Sequence, residues 1–409
     1  MTARNSNSTA TGRSTPLWTP TFIVLAIAML GVGFTFYLLV PTMAGYAVAK
    51  YGASAAEAGL ASSSFFFGAV AARVLAGRAL VRFGTRAVVV GSVVWLFVSC
   101  ASYLLPVGLA GLIAFRIVHG VGFGFAATAL VSAAMAMIPA ARRAEGSGWF
   151  LMGMTLATGF APFVALVLVN SSVGQTGVFW LSLGCAALAV GCVAAVARSL
   201  PGRPASAPPA ARGLGGLIDL KAVPIGLVLG ACAFAYALVL AYLNLHAAQR
   251  NLIEAAGLYF LVYAIVIMVS RPVAGMLQDR FNDDVVTVPL LITFAIGLVI
   301  TAVATQPVML LVGAALVGLG YGTLLSGGQA MAVHKVGHAR TGLGVSTYWL
   351  VVDLATGAGP IVLGALILPL GYQNTFIAAA VLPIGGLVFY LLVARRVRPA
   401  DPAESIREA

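Results

Sequence analysis

Long apolar runs separated by short polar gaps make up most of this 409-residue chain. Each run holds about the 20 mostly apolar residues that a helix needs to cross the hydrocarbon core of a bilayer. The pattern predicts an all-α membrane protein with twelve transmembrane helices, the first of which is retained and not cleaved as a signal peptide. The predicted spans are 20–44, 57–80, 87–107, 109–137, 145–170, 175–197, 222–246, 255–277, 285–305, 308–333, 342–369 and 373–394.

Composition supports this assignment and marks a division of the chain. Hydrophobic residues make up 61% of the sequence and charged residues 8%, whereas a soluble domain has roughly 25% charged residues. The longest polar interruption, 199–221, is rich in Pro, Ala and Gly and is predicted to be an irregular cytoplasmic loop. It separates an N-terminal six-helix bundle, 1–198, from a C-terminal six-helix bundle with a short cytoplasmic tail, 222–409.

The basic residues predict the orientation of the chain in the membrane. With the N-terminus in the cytoplasm, 18 of the 23 Lys and Arg residues fall in inner gaps, and only Lys50 and Arg250 fall in outer gaps. The other three, Arg73, Arg116 and Arg271, lie within spans. This excess on one side predicts that both termini are cytoplasmic. Because Arg far outnumbers Lys, which is typical of GC-rich bacterial genomes, we expect a bacterial plasma membrane.

The two halves of the chain are related by a repeat with a constant offset of 198 residues. The match runs without gaps across about 100 residues and recurs in the second, fourth and fifth spans of each half. Matching pairs are Arg73 with Arg271, Arg82 with Arg280, Gly120 with Gly318, Gly124 with Gly322, Gly159 with Gly357, and Pro162 with Pro360. Parallel repeats of this kind predict two bundles related by a pseudo-two-fold axis, with a substrate site between them.

Several of these motifs resemble those of the major facilitator superfamily. The segment from Gly77 to Arg86 resembles the family's loop motif between helices two and three, and Gly275 to Arg280 resembles its second copy. The segment from Arg116 to Gly122 resembles the fourth-helix motif of proton-coupled drug exporters, and Gly153 to Pro162 resembles the fifth-helix antiporter motif. The resemblance assigns a conformational role to Gly77, Arg82, Gly84, Arg86, Gly275, Asp279, Arg280, Gly159, Pro162, Gly359 and Pro360.

Two departures from the family pattern weaken the exporter assignment. Val81 stands where the loop motif normally has an acid that helps to latch the halves, although Asp279 keeps the acid in the second copy. The antiporter motif normally ends in Gly-Pro, but here it ends in Ala161-Pro162, and Gly-Pro occurs instead at Gly359-Pro360.

Charged groups inside spans are the main candidates for function, because a charge at mid-helix costs roughly 2.5–3.5 kcal/mol on insertion scales. Asp353 is the one acid deep in a span, and Arg116 and His119 share a face of the fourth helix. None of the three has an equivalent in the other half: Asp353 aligns with Thr155. We expect Asp353 to be a protonation site, with Arg116 and His119 assisting proton coupling. The alternative is that each is a buried structural hydrogen-bonding group.

In the superfamily fold, the first, fourth, seventh and tenth helices line the cavity. The resemblance therefore implies a weakly polar, aromatic substrate cavity in this chain. The residues assigned to it are Phe34, Tyr37, Tyr236, Tyr321 and Gln329, together with Trp349, which shares a helix face with Asp353.

The leading functional hypothesis is a secondary active transporter that exports a small organic compound, drug-like or a secreted metabolite, by proton antiport and alternating access. The alternative is a proton-coupled importer, or symporter, of a small metabolite, and a non-transporting membrane sensor is a third hypothesis. The sequence shows no nucleotide-binding loop, metal-ligand cluster or catalytic triad, so we expect no enzyme, cofactor or metal. The expected partners are the substrate, protons and lipid, with no nucleic acid, and a monomer would suffice.

Overall fold

A computed structural model describes residues 17–139, 142–200, 202, 218–336 and 341–397. This part of the chain is almost entirely helical and contains no strand. The α-helices are α1 Pro20–Tyr51, α2 Ala55–Phe83, α3 Thr85–Ser102, α4 Leu109–Met137, α5 Arg143–Val169, α6 Gly174–Val196, α7 Val223–Ala248, α8 Ile253–Arg280, α9 Asp283–Val303, α10 Pro307–Val317, α11 Thr323–Val336, α12 Thr341–Ala379 and α13 Val381–Leu392. Short 3₁₀ turns lie at Ala197–Ser199 and Ala394–Arg396.

Local sequence signals set several helix ends. Ser54 and Glu57 form a capping box at the start of α2, in which each side chain bonds the backbone N–H of the other residue. Gly84 joins α2 to α3 with a φ of 83°, a conformation that favours glycine because it has no Cβ. These caps keep the turns between spans short.

The helices form twelve spans, as predicted. Eleven stretches are long and apolar enough to cross a membrane, and the last of these, Leu343–Arg396, has 54 residues. At 1.5 Å per residue this is far longer than a bilayer core of about 30 Å. Gly371, with a φ of 74°, interrupts α12, and the chain reverses its direction there. The stretch therefore contains two spans. The tenth span is also composite, because the π-helical segment Gly318–Gly322 joins α10 to α11.

Glycines allow close packing within each half and follow the 198-residue repeat. A methyl group on Gly120 of α4 would lie 1.9 Å from the carbonyl oxygen of Phe65 in α2. Its repeat equivalent, Gly318, would place a methyl 2.8 Å from the carbonyl oxygen of Tyr263, which is the equivalent of Phe65. The sequence repeat is therefore matched by a repeat of the contacts between helices.

The two halves meet along two equivalent helix pairs, α2 with α12 and α5 with α8. A Cβ on Gly357 of α12 would lie 2.7 Å from Cβ of Phe66, and one on Gly159 of α5 would lie 2.0 Å from Cβ of Ala264. The two contacts are equivalent to each other under the offset of 198, because Gly159 corresponds to Gly357 and Phe66 corresponds to Ala264. The interface therefore has the predicted pseudo-two-fold symmetry.

The halves are joined most closely at the end of the bundle away from the chain termini, here called the far end. The hydroxyl of Tyr242 in α7 lies 2.7 Å from the carbonyl oxygen of Ala55 in α2 and 2.9 Å from that of Pro360, and donates toward both. Gly45 of α1 faces Leu245 of α7 at the same end. These contacts close the path between the halves at the far end.

Toward the terminal end, where α1 begins and α13 ends, the halves separate. Gly77 and Gly275 lie one turn beyond Arg73 and Arg271 on the same helix faces. No atom lies within 4 Å of the position that a Cβ would take on either glycine. Helix α4 packs on helices of its own half, and α11 does likewise. Among the described residues, the contacts of Tyr242 and Gly45 thus join the halves at the far end, and Gly77 and Gly275 make no such contact toward the termini.

Candidate functional site

An ion pair joins the two halves at mid-depth. Nε of Arg73 in α2 lies 2.9 Å from Oδ2 of Asp353 in α12, and the two side chains are 30% and 10% exposed. The atoms are not aligned as a hydrogen bond, so the attraction is electrostatic. Because both residues lie well inside spans, the charges stabilise each other where either alone would be costly.

Trp349 and Gln329 extend this site on the second half. The guanidinium carbon of Arg73 lies 5.9 Å from the centre of the Trp349 ring, within cation–π range. The indole Nε1 of Trp349 donates to Oε1 of Gln329 at 2.7 Å, which fixes the ring. The face of α12 that carries Trp349, Asp353 and Gly357 therefore packs against α2.

A second arginine crosses the interface in the opposite direction. Arg271 of α8 donates from Nη1 to the hydroxyl of Thr155 in α5 at 3.0 Å. Its Nε and Nη2 donate to the carbonyl oxygen of Gly322, at 3.2 and 3.1 Å, in the π-helical segment. The guanidinium is thus fixed to its own half and reaches the other half through one hydrogen bond.

The two arginine contacts are repeat equivalents of each other. Arg73 corresponds to Arg271 and Asp353 corresponds to Thr155, each at the offset of 198. The first contact pairs a cation with a titratable acid, whereas the second pairs a cation with a neutral hydroxyl. These two described contacts together therefore contain two guanidinium groups and one carboxylate.

Aromatic side chains surround these groups. Tyr37 of α1 lies within electrostatic range of both arginines and of Asp353. In the second half, the rings of Tyr236 and Tyr321 lie 4.5 Å apart, and Tyr236 also stacks on Tyr263 at 5.2 Å. Tyr236 and Tyr321 are buried, whereas Phe34, Tyr37, Gln329 and Trp349 are partly accessible.

Arg116 and His119 make their described contacts inside the first half. Arg116 is fully buried, donates to the carbonyl oxygens of Ala61 and Ser62, and packs on Phe65. The ion-pair partner of Asp353 is Arg73. Nε and Nη2 of Arg116 bond the α2 backbone, whereas its buried Nη1 has no hydrogen-bond partner among the described residues.

The ring of His119 is equally enclosed. Its Nδ1 lies 3.1 Å from the hydroxyl of Tyr103, and its Nε2 lies 3.4 Å from that of Thr35. These partners all belong to the first half. The contacts fit the structural alternative for both residues, and a part in proton coupling stays a prediction.

The family is decided by comparison of the whole sequence with known families. The model of the Major Facilitator Superfamily matches residues 25–283 and 251–409, which together cover nearly the whole chain. The chain belongs to the major facilitator superfamily. It is therefore a multi-pass membrane transporter.

Two curated relatives of this superfamily member match it over part of their length. An uncharacterized MFS-type transporter of Pseudomonas aeruginosa is 28% identical over 175 residues, 42% of each chain. A multidrug resistance protein B homolog of Mycobacterium tuberculosis is 29% identical over 142 residues, 35% of this chain and 26% of that protein. The matched segments thus span less than half of either relative.

Solved structures of other transporters share the fold over nearly the whole chain. A bacterial homolog of the human lysosomal transporter Spinster, in an inward-facing and unoccupied conformation, has a TM-score of 0.76 with 14% identity. The match covers 95% of this chain and 100% of that one. The nucleoside transporter NupG has a TM-score of 0.74 with 12% identity, covering 91% and 100%. At these identities the likeness shows the common fold.

The loop-motif residues of this transporter lie at the terminal end. Arg86 donates to the carbonyl oxygens of Arg198 and Leu200, at 2.7 and 3.2 Å, and so ties α3 to the chain just beyond α6. The guanidinium groups of Arg82 and Arg280 each lie over the following phenylalanine ring. Gly77 and Gly275 face open space, and the side chain of Asp279 lies outside the described residues.

The predicted proline and glycine positions of the fifth and eleventh spans lie in helix interiors. Pro162 is inside α5 and Pro360 is inside α12, where the Pro360 carbonyl receives the Tyr242 hydroxyl. A Cβ on Gly359 would lie 2.6 Å from the carbonyl oxygen of Phe234 in α7. Gly159 faces α8, as described above. These residues set the close approach of α5 and α12 to their neighbours.

Arg73 and Arg271 are the site residues that sequence reasoning did not select. Both were recognised as charges within spans, and both belong to the repeat. Their recurrence in both halves suggested scaffold rather than function. The sequence nevertheless contained a usable signal. An arginine inside the membrane requires a polar partner. Asp353 and Thr155, which align with each other, provide one such partner for each arginine.

Proposed function

We propose that this transporter is a proton-coupled antiporter that exports a small organic compound, with Asp353 as the group that binds and releases the proton. The observation that carries this proposal is the Arg73–Asp353 ion pair between the halves. Among the described acids, Asp353 is the one deep in a span and in contact with the opposite half.

Protonation of Asp353 would change the attraction between the halves. Two unit charges 4 Å apart attract by about 4 kcal/mol at an effective dielectric constant of 20. Conformations of one protein commonly differ by only a few kcal/mol. Neutralising the carboxylate can therefore shift the equilibrium between a state in which α2 and α12 are held at mid-depth and one in which they separate.

The closed far end and the opening toward the termini support alternating access. With the termini in the cytoplasm, as the distribution of Lys and Arg favours, this arrangement faces inward. The substrate would enter between the halves and meet the partly accessible side chains of Phe34, Tyr37, Gln329 and Trp349. Tyr236 and Tyr321 would form the inner, buried part of that surface. We place the protein in a bacterial plasma membrane.

Export is favoured by the fourth-helix and fifth-helix motifs, and import has one observation in its favour. Arg73 is more accessible than Asp353. An anion that bound Arg73 would displace the carboxylate, which could then accept a proton, so anion and proton would bind together. That positive coupling produces symport, whereas a cation competing for Asp353 would produce antiport.

Accumulation of compounds in cells with and without the protein tests the direction. A compound that accumulates less in cells with the transporter, and loses this difference when a protonophore collapses the gradient, supports export by antiport. Higher accumulation with the same dependence supports import by symport. Asp353→Asn should behave like cells without the transporter, whereas Glu254→Gln, an exposed acid at the start of α8, should behave like wild type. Transport that ignores the protonophore contradicts proton coupling.

A further inference from the structure

Arg271 is a cation inside the bundle whose contacts in the described residues are all with neutral groups. Its three bonding nitrogens reach the Gly322 carbonyl and the Thr155 hydroxyl. No carboxylate of the described residues lies within ion-pair distance of it. Hydrogen bonds relieve part of the cost of burying this charge, but they do not neutralise it.

Comparison of the two halves shows which negative charge is missing beside Arg271. At the equivalent contact in the other half of the interface, Arg73 faces the carboxylate of Asp353. At this contact Thr155 supplies a hydroxyl oxygen in the place of that carboxylate. In these two described contacts there is therefore one guanidinium more than there are carboxylates, and the unmatched guanidinium is that of Arg271.

A second, independent observation concerns the side chain of Tyr236. The hydroxyl oxygen of Tyr236 is buried and makes no hydrogen bond of good geometry in the described part of the chain, and its polar neighbour is the Tyr263 side chain, although buried tyrosine hydroxyls usually find a well-aligned partner. Tyr236 stacks on Tyr263, which is within electrostatic range of Arg271, and Tyr37 is within range of both groups. The Tyr236 hydroxyl and the Arg271 cation thus border the same group of tyrosine side chains, which includes Tyr263 and Tyr37.

The backbone fixes Arg271 in position for a ligand. Nε and Nη2 both bond the Gly322 carbonyl, which belongs to the π-helical segment Gly318–Gly322. The equivalent segment in α4 is ordinary α-helix. Such π-helical insertions occur often at functional sites. The remaining nitrogen, Nη1, points to the interface, where Thr155 is its partner.

We propose that Arg271 binds the negatively charged group of the transported substrate, and that this substrate is a small organic monoanion with an aromatic or apolar body. The anionic oxygens would take the place that a carboxylate takes beside Arg73. The Tyr236 hydroxyl would donate to a polar atom of the substrate, and the tyrosine rings would contact its body. The assignment rests on the transport function proposed above, but not on its direction or on the role of Asp353.

Paired ligands test the charge preference directly. Full-length protein in lipid nanodiscs is titrated with benzoate and benzamide, nicotinate and nicotinamide, and phenylacetate and phenylacetamide, and binding is measured by the rise in thermal stability. Hydrogen bonds to a charged group are worth about 1.5–3 kcal/mol, so we expect wild type to bind a carboxylate at least about tenfold more tightly than its amide. Equal effects of acids and amides, or no effect of either, would overturn the proposal.

Two substitutions separate charge from shape. Thr155→Asp places in the chain the acid that the other half carries, so its carboxylate should neutralise Arg271 and abolish the carboxylate preference while the protein stays folded. Thr155→Asn has the same size without the charge and should weaken the preference much less. Arg271→Gln should lose the preference and Arg271→Lys should keep part of it. Arg250→Gln, at the far end where Arg250 bonds Ala304 and Gln373, should not alter it.

Persistence of the carboxylate preference in both Thr155→Asp and Arg271→Gln would show that the anion binds elsewhere, and would overturn the assignment. Because these measurements are made at one pH and without a gradient, a failure of proton coupling at Asp353 leaves their result unchanged. A failure of the anion site likewise leaves the gradient dependence of transport intact.

Discussion

Arg73 and Asp353 form the one ion pair in the described part of the chain that joins the two halves, with Nε and Oδ2 2.9 Å apart. The other described pair, Arg395 with Asp284, lies within the second half. An attraction that depends on the protonation of one partner is thus placed where the halves must move relative to each other.

Exchanging the two charges tests whether this pair contributes to the stability of the observed arrangement. Arg73→Asp leaves two carboxylates facing each other, and Asp353→Arg leaves two guanidinium groups, so each should lower the thermal midpoint in nanodiscs. The double variant restores attraction and should recover at least half of the loss. In a double-mutant cycle we expect a coupling energy of about 1–3 kcal/mol, the upper part of the range for contacting residues.

The exposed pair Arg395–Asp284 provides the matched control. Its side chains are 43% and 41% exposed, and exposed pairs contribute about 0–1 kcal/mol. A cycle with alanine at these two positions should give a coupling energy below about 1 kcal/mol. Additive effects at Arg73 and Asp353, as weak as those of the control, would show that the interfacial pair does not hold the halves together.

Substitution of a closely packed glycine and of one that faces open space should have different effects on stability. Gly159→Ala places a methyl 2.0 Å from Cβ of Ala264, so α5 and α8 must move apart. Overpacking of this kind costs about 1–3 kcal/mol, and the thermal midpoint should fall. Gly77→Ala meets no atom within 4 Å, and the better helix propensity of alanine should leave the midpoint unchanged or slightly raised. Equal effects of the two substitutions would contradict the described interface.

Tyr242→Phe should loosen the far end. It removes the hydroxyl that bonds the Ala55 carbonyl across the halves. A hydrogen bond contributes about 0.5–1.5 kcal/mol, so the population open at the far end should rise roughly fivefold. Spin labels at Lys50 and Gln249, in a background without the four native cysteines, would report this as a larger share of long distances. Tyr372→Phe, whose ring lies 6.2 Å from that of Tyr242, is the control and should leave the distances unchanged.

Much of the fold could be predicted from the sequence, because apolar runs and a constant offset are properties of the chain itself. The twelve spans, the duplicated halves and the close packing at Gly120 and Gly318 all follow from pattern. The depth of Asp353 also follows, since it is far from either end of its span. These features depend on residues near in sequence or equivalent by repeat.

The ion-pair partner of Asp353 could not be predicted from the sequence pattern. The offset identifies equivalent residues, but the interface pairs α2 with α12 and α5 with α8, so contacts run between positions that are not equivalent. Residues unique to one half, such as Arg116, pointed to function in the sequence, whereas the ion-pair partner of Asp353 is Arg73, which recurs as Arg271. At the two equivalent interface contacts, the difference is that Asp353 stands in one and Thr155 in the other. The π-helical turn at Gly318–Gly322 was also hidden, because the similar Gly120–Gly124 sequence folds as α-helix.

Proton movement in proteoliposomes tests most directly whether Asp353 carries the coupled proton. The compound identified by the accumulation comparison is supplied as a gradient, and a trapped pH-sensitive dye reports proton flux, while exchange of labelled compound across the same membrane is followed separately. Wild type should move protons in response to the compound gradient, and Asp353→Asn should exchange the compound without moving protons. Compound-driven proton flux of wild-type size in Asp353→Asn would contradict the assignment of Asp353 as the proton-binding group.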